Sequence, residues 1–268
     1  MIMFQTVIFS LAALASLVPA SVVPFRRDPQ PDTPFWAATA LAVAGPLFWA
    51  LDQVADTWRT GLSTTLWVSI ATCMVLFAGL AAATRTGWRL APLLLPYLLL
   101  IAVLATATLR APDPVLEAAA PETWVALHIV VSVTGYALLT VGAVAALAAF
   151  LQEQALKTKR PTALTRLLPP IADSEALQLR LLTAAAAVTG IGVLTGMAVL
   201  YYEHGVLLRL DHKILFSLAS FAVISGLLIA HAMTGVRGRR AARLALLAYL
   251  LLTLGYPGVK FVTDVLLS

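Results

Sequence analysis

The chain has 268 residues, of which 60% are hydrophobic and 12% charged, with a mean hydropathy of +0.91. A soluble domain carries about 25% charged residues to cover its surface, so 18 basic and 13 acidic residues exclude a soluble enzyme and a disordered chain. The formal charge of +5 does not argue for nucleic acid, because the basic residues lie between apolar runs and form no single patch. What remains is an all-α, polytopic integral membrane bundle in contact with the lipid bilayer.

Taken in chain order, eight apolar runs are long enough, or nearly so, to cross the bilayer as helices: about 2–23, 35–51, 65–84, 91–109, 124–151, 181–202, 213–232 and 244–263. Eight spans of roughly 20 residues use nearly all the apolar composition. Residues 1–268 are therefore read as a single transmembrane domain with no core left for a soluble catalytic unit, and enzyme activity is not expected. The first run has no positive segment before it and is followed by Arg26 and Arg27, so it reads as a retained helix and not as a cleaved signal. Pro46, Pro92 and Pro96 are expected to kink the second and fourth spans. The single cysteine, Cys73, lies inside the third run, which leaves no intramolecular disulfide and no cysteine-based zinc site.

The odd-numbered connections hold thirteen Lys and Arg residues, and the even-numbered ones hold Arg59, Arg110, Arg209 and Lys213. The positive-inside rule then puts the odd connections in the cytoplasm and both termini on the extracytoplasmic side. The even connections also carry acids, among them Asp113, Glu117 and Asp211. Connections 152–180 and 233–243 become a basic cytoplasmic face, suited to a cytoplasmic or membrane protein partner; a homodimer is also open. Arg237-Gly238-Arg239-Arg240 reads first as a stop signal, and also as a contact for anionic headgroups or a partner. Neither a GxxxxGK[ST] loop nor a GxGxxG fingerprint is present.

This sidedness gathers His128, His204 and His212 at one membrane face and leaves His231 at the other. A neutral imidazole is a good ligand for haem iron, and two from different helices can hold the metal from opposite sides. His128 and His212 are the candidate metal-binding pair, with Arg110, Arg209 and Lys213 on the rim as partners for propionates. Each histidine alone also fits an ordinary interfacial residue, and Arg209 and Lys213 fit ordinary interfacial anchors. His128, Ser132 and Tyr136 recur at four-residue spacing, so they share a helix face. That polar stripe should face a cavity or the bundle interior, and interhelical hydrogen bonding explains it equally well. Gly190, Gly192 and Gly196 read as close-packing sites between helices. Lys260 is expected to snorkel to the interface or pair with Asp264.

Four stretches in order carry a resemblance over 124–268. They are Leu127-His128 to Thr140 with Gln152-Glu153; Leu168-Pro169-Pro170 with Glu175 and Leu194-Thr195-Gly196; Asp211-His212-Lys213 to Ser217; and Gly235 to Arg240 with Tyr256 to Phe261. Together they resemble the YpjD/HemX-type inner-membrane proteins of the cytochrome c assembly (CcsA/CcmC-like) superfamily. The resemblance implies eight spans with both ends outside, the bacterial inner (plasma) membrane, and haem b held near the extracytoplasmic face by histidine ligands. His128 and His212 stand where that subfamily's histidines stand. Trp124, in Pro121-Glu122-Thr123-Trp124, resembles the tail of the tryptophan-rich segment of the haem-handling members and would flank the ring. The rest of that segment is missing, so transfer of haem to apocytochrome c is not implied. Two alternatives stay open. One is a regulatory or scaffold protein controlling haem synthesis through a cytoplasmic partner. The other is an accessory subunit of a transporter or metal-ion efflux system, for which Asp52 and Asp56 are the acidic candidates.

Overall fold

The computed structural model describes residues 2–26, 29–54, 58–116, 118–209 and 211–266. Arg27, Asp56 and Glu117 of the sequence reading lie outside the described residues. No strand occurs among the described residues, only an isolated bridge between Arg59 and Val115. The helices are α1 (Ile2–Val22), α2 (Thr33–Val54), α3 (Leu62–Ala83), α4 (Ala91–Ala107), α5 (Glu122–Thr158), a short α6 (Ala163–Leu167), α7 (Ile171–His204), α8 (His212–Thr234) and α9 (Gly238–Thr253). The chain then continues through π-helical Leu254–Gly258, a single turn α10 (Val259–Phe261) and π-helical Val262–Leu266. Eight of the described helical segments are long and apolar enough to cross a membrane, so this is a multi-pass membrane protein. Helices are the form these runs must take, because hydrocarbon offers no partner for an unpaired backbone N–H or C=O.

Three details differ from the sequence reading. Pro92 does not kink a span: it lies in the first turn of α4, where its missing N–H would have no helical partner in any case. Residues 172–180 enter the next span as helix, as the sequence allows, while α5 runs further than the apolar run, to Thr158, and α9 begins at Gly238, inside the connection 233–243. Long basic side chains are good helix formers and can reach water from a helix end, so the charge does not stop the helix. The π-helical turns replace a regular eighth span. Pro257 offers no N–H to the helical ladder, and the backbone widens around it.

Helix ends are fixed by specific polar contacts. Asp32 accepts the Phe35 N–H (3.1 Å) at the start of α2 and pairs with Arg26 (3.0 Å). The Phe35 N–H, followed by Arg26, holds its carboxyl below the usual carboxylate range. Asp113 accepts the Gly61 N–H (2.7 Å) and the Thr64 hydroxyl (3.1 Å) at the start of α3. Thr60 N–H donates to the Pro114 carbonyl and Leu116 N–H to the Trp58 carbonyl, so the α2–α3 and α4–α5 connections are laced together. At the other end of the bundle the Gln152 amide lies 2.8–3.3 Å from the carbonyls of Thr165, Leu168 and Pro169 and closes the α5–α7 link.

One apolar cluster joins α1 to α4 with one side of α5. Trp49 and Trp67 are fully buried within it, ring centroids 5.5 Å apart, and Trp49 donates its indole N–H to Ser10 (2.7 Å). A second cluster joins α5, α7, α8 and α9 through Leu139, Leu182, Ile224 and the alanine face Ala241, Ala242, Ala245 and Ala248. Small residues there let backbones approach, and Ser220 reaches the Ala248 carbonyl at 2.8 Å. α5 packs on α7, α9 and α3, so it belongs to both clusters.

Gly45 allows α2 to lie on α1, where an added Cβ would come within 2.1 Å of Ser16 Oγ and 3.3 Å of the Ala13 backbone. Gly45→Leu is expected to destabilise by about 1–3 kcal/mol, the usual cost of overpacking. The readout is an earlier thermal transition by circular dichroism in detergent. Gly79→Leu, at a position with nothing within 4 Å of an added Cβ, should leave the transition in place.

Candidate functional site

α5 and α8 begin, and α7 ends, at the end of the bundle that carries the laced connections. His128 lies six residues inside α5 and Thr195 nine residues before the end of α7, depths of about 9 and 14 Å at 1.5 Å per residue. The two side chains meet: His128 Nδ1 is 3.1 Å from Thr195 Oγ1. Thr195 in turn donates its hydroxyl to the Gly192 carbonyl (3.1 Å). A hydroxyl has one proton, and that proton is on the Gly192 bond. With its proton on that bond, Thr195 Oγ1 offers an acceptor to an Nδ1-protonated His128, the tautomer whose lone pair is on Nε2. This is how ligating histidines are oriented, by a second-shell bond on the other nitrogen.

Glycine makes room for the ring. A Cβ on Gly196 would lie 2.9 Å from His128 Cε1 and 3.5 Å from Nδ1. One turn earlier, a Cβ on Gly192 would meet Val131 and Ser132, and Gly135 faces Thr189 at 3.2 Å. The glycines thus close the α5–α7 contact, and Gly196 in addition seats the imidazole.

The stripe His128–Ser132–Tyr136 does not meet a single neighbour. Four residues advance a helix by 400°, so the stripe turns by about 40° at each step. His128 faces α7 and is half-buried, and Ser132 is exposed. Tyr136 has turned to α9, its hydroxyl 3.4 Å from both Tyr249 Oη and Thr253 Oγ1. Tyr249 is hydrogen-bonded to Tyr97 of α4, so three tyrosines join α4, α5 and α9. Trp124 lies one turn before His128 on the same side of α5 and is 39% exposed.

His212 is the first residue of α8 and is exposed; Asp211 before it caps the helix by accepting the Ile214 N–H (2.9 Å). α8 packs on α9 and, less, on α7; both of these pack on α5, so the helices of His128 and His212 are linked through α9 and α7 and do not pack directly on each other. Arg209 Nη1 lies 3.3 Å from His204 Nε2 at the end of α7. Arg110 and Lys213 are exposed. The chain end folds back to this rim: Gly255 sits against Phe216 and 3.5 Å from the Lys213 carbonyl, measured from an added Cβ. Lys260 comes within electrostatic reach of Asp264, Lys213 and Asp113. His231 is at the opposite end, Nδ1 2.9 Å from the Val236 carbonyl. Among the described residues no three His, Cys, Asp or Glu side chains converge on a point where a bare ion would be held.

Sequence reasoning did not assign roles to Thr195, the Gly192 carbonyl, Tyr97, Tyr249 or Thr253. The signal for Thr195 was a hydroxyl beside a glycine in an apolar span, which by itself reads as helix packing.

The sequence profile of a family described as "Cytochrome C assembly protein" matches residues 55–267. The match begins before α3, well ahead of the stretch over which the sequence motifs are clearest. The chain is 62% identical over 271 residues to an uncharacterized 28.8 kDa protein in the nifR3-like 5' region of Azospirillum brasilense, covering 99% of this chain and 100% of that one. No solved structure matches.

Thr195→Val keeps the shape of the side chain and removes the acceptor for Nδ1–H. In protein labelled with 15N-histidine, the wild-type His128 ring should give the shifts of an Nδ1-protonated tautomer, and the variant should move toward a mixture. Identical shifts in the two proteins would mean that Thr195 does not set the tautomer.

Proposed function

The chain belongs to the cytochrome c assembly protein family, and from that premise we propose a haem b-binding membrane protein of the YpjD/HemX type. Its work would be haem handling or cytochrome c biogenesis, as a binding protein without catalytic activity of its own. The observation that supports this most is the contact of His128 Nδ1 with Thr195 beside a glycine-lined seat; with Nδ1 protonated, Nε2 is the nitrogen that would ligate iron.

In this reading His128 and His212 are the axial ligands. A porphyrin supplies the equatorial nitrogens itself, so two protein ligands suffice, whereas a bare zinc ion takes three or four. Trp124, one turn before His128, would flank the ring and Ser132, one turn after it, would line the face below; Tyr136, turned to α9, would support that face from behind. Arg110, Arg209 and Lys213 carry the positive charge for propionates at the rim, and the His204 contact holds Arg209 near it. Bound haem would supply a redox-active iron; the chain's own part is to orient His128, seat the ring edge and neutralise the carboxylates. The site then faces the extracytoplasmic side of the bacterial inner membrane, with both termini on that side, as the thirteen-to-four distribution of Lys and Arg supports.

Purified after haem-replete expression, the wild type should show a reduced-minus-oxidised haem spectrum, and His128→Ala should abolish it. His212→Ala should shift or weaken it, and Thr195→Val should lower haem affinity about 10–100-fold, the usual cost of losing a second-shell partner. A wild type that holds no haem would sink the proposal.

Sidedness has its own test. In a Cys73→Ser background, Val206→Cys should react with a membrane-impermeant maleimide in intact spheroplasts, and Lys159→Cys only after lysis. The opposite pattern would invert the orientation.

A further inference from the structure

At the end of the bundle opposite His128, two cavities lie side by side. One, of about 680 Å³, is lined by Arg237, Arg239, Arg240, Arg243 and Lys157, with Glu153 at its edge. The other, of about 290 Å³, runs between α7 and α8 past Leu179, Leu182, Leu227 and Leu228. They share Val236, Arg237 and Gly238, so a basic bowl opens into a cleft lined by those leucines together with Glu175, Gln178 and His231.

The acids in the region are already engaged. Glu153 is paired with Lys157, and Glu175 accepts the Gly238 N–H at 3.0 Å. Among the described residues the four arginines of the bowl form no ion pair with a carboxylate. Arg239 is stacked over Phe150 at 5.2 Å, and its Nε is buried with no hydrogen-bond partner among the described residues. A buried guanidinium N–H without an acceptor is costly, and an anionic oxygen would satisfy it.

Position selects the ligand. The bowl sits where α8 ends at Thr234 and α9 begins at Gly238, at the ends of two segments long and apolar enough to cross a membrane, where headgroups are expected. The cleft descends from it toward the bilayer core, Leu227 lying seven residues, about 10 Å, below Thr234. A free phosphate would use the bowl and leave the cleft idle; a diacyl phosphate uses both. We propose that this is a specific site for one anionic phospholipid, with its phosphate among Arg237, Arg239 and Arg240 and an acyl chain between α7 and α8. The inference is independent of haem binding.

The test is native mass spectrometry of the full chain in detergent, titrated with dioleoylphosphatidylglycerol or dioleoylphosphatidylcholine. The expected result is a single tightly held phosphatidylglycerol and much weaker binding of phosphatidylcholine. Arg239→Gln/Arg240→Gln should weaken phosphatidylglycerol binding about fivefold for each charge removed. Leu228→Trp, which fills the cleft and leaves the arginines in place, should weaken it as well. Arg85→Gln/Arg166→Gln, which removes two exposed charges outside the bowl at the same end, should change nothing. Equal losses in that control would mean general surface attraction and overturn the site. Inorganic phosphate displacing the lipid at equimolar concentration, or a Leu228→Trp protein that binds normally, would overturn the lipid and leave an anion site only. Circular dichroism melts identify any variant that fails to fold, and for such a variant Arg239→Lys, which keeps the charge and loses the planar fork, replaces it and should also bind more weakly.

Discussion

Along their shared length α5 and α7 lie so close that Gly135 faces Thr189, Gly142 faces Leu181 and Leu182, and Gly196 faces the His128 ring. In a bilayer no hydrophobic gain drives two apolar helices together, because lipid tails are as apolar as leucine. Close approach through small residues is what remains, and it depends on the positions of a few glycines. The rest of the bundle is organised on this pair. α3 and α4 are carried on one side of α5, and α8 and α9 complete the other. The depth of His128 relative to Thr195 follows from the register of that contact.

The polar groups within the bundle do different work. Interhelical hydrogen bonds in membranes are worth on average about 0.6 kcal/mol, so the bond from His128 to Thr195 contributes little to stability. It fixes the direction of Nδ1 and so the orientation of the ring, which matters for chemistry far more than for folding. The Tyr97–Tyr249–Tyr136 group sits where three helices meet and ties the two apolar clusters together laterally. The Trp49–Ser10 bond serves α1 and α2 in the same way.

The number and order of spans were legible because each needs its own stretch of hydrocarbon-compatible sequence. The gathering of His128, His204 and His212 at one end also followed, since span parity alone decides which ends coincide. The role of Thr195 was not legible. Its partner is 67 residues away, and only the rotation of α7 about its axis decides whether a hydroxyl faces His128 or lipid. The limits of the connections were misjudged for a related reason: charge marks the membrane boundary, and helices cross that boundary. Pro92 was misjudged because a proline at a helix start and one within a helix look the same until the start is known.

The link between α8 and α9 has three residues, Gly235 to Arg237, and Gly235 adopts the left-handed conformation (φ 68°) that an L side chain would resist. So short a link has no slack for one helix to cross the membrane while the other waits in water. The two helices are held as antiparallel neighbours, joined by the alanine face of α9 and the Ser220 bond to the Ala248 carbonyl. The turn thus makes α8 and α9 one packing unit, which reaches the rest of the bundle by two routes: α9 against α5, and α8 against α7.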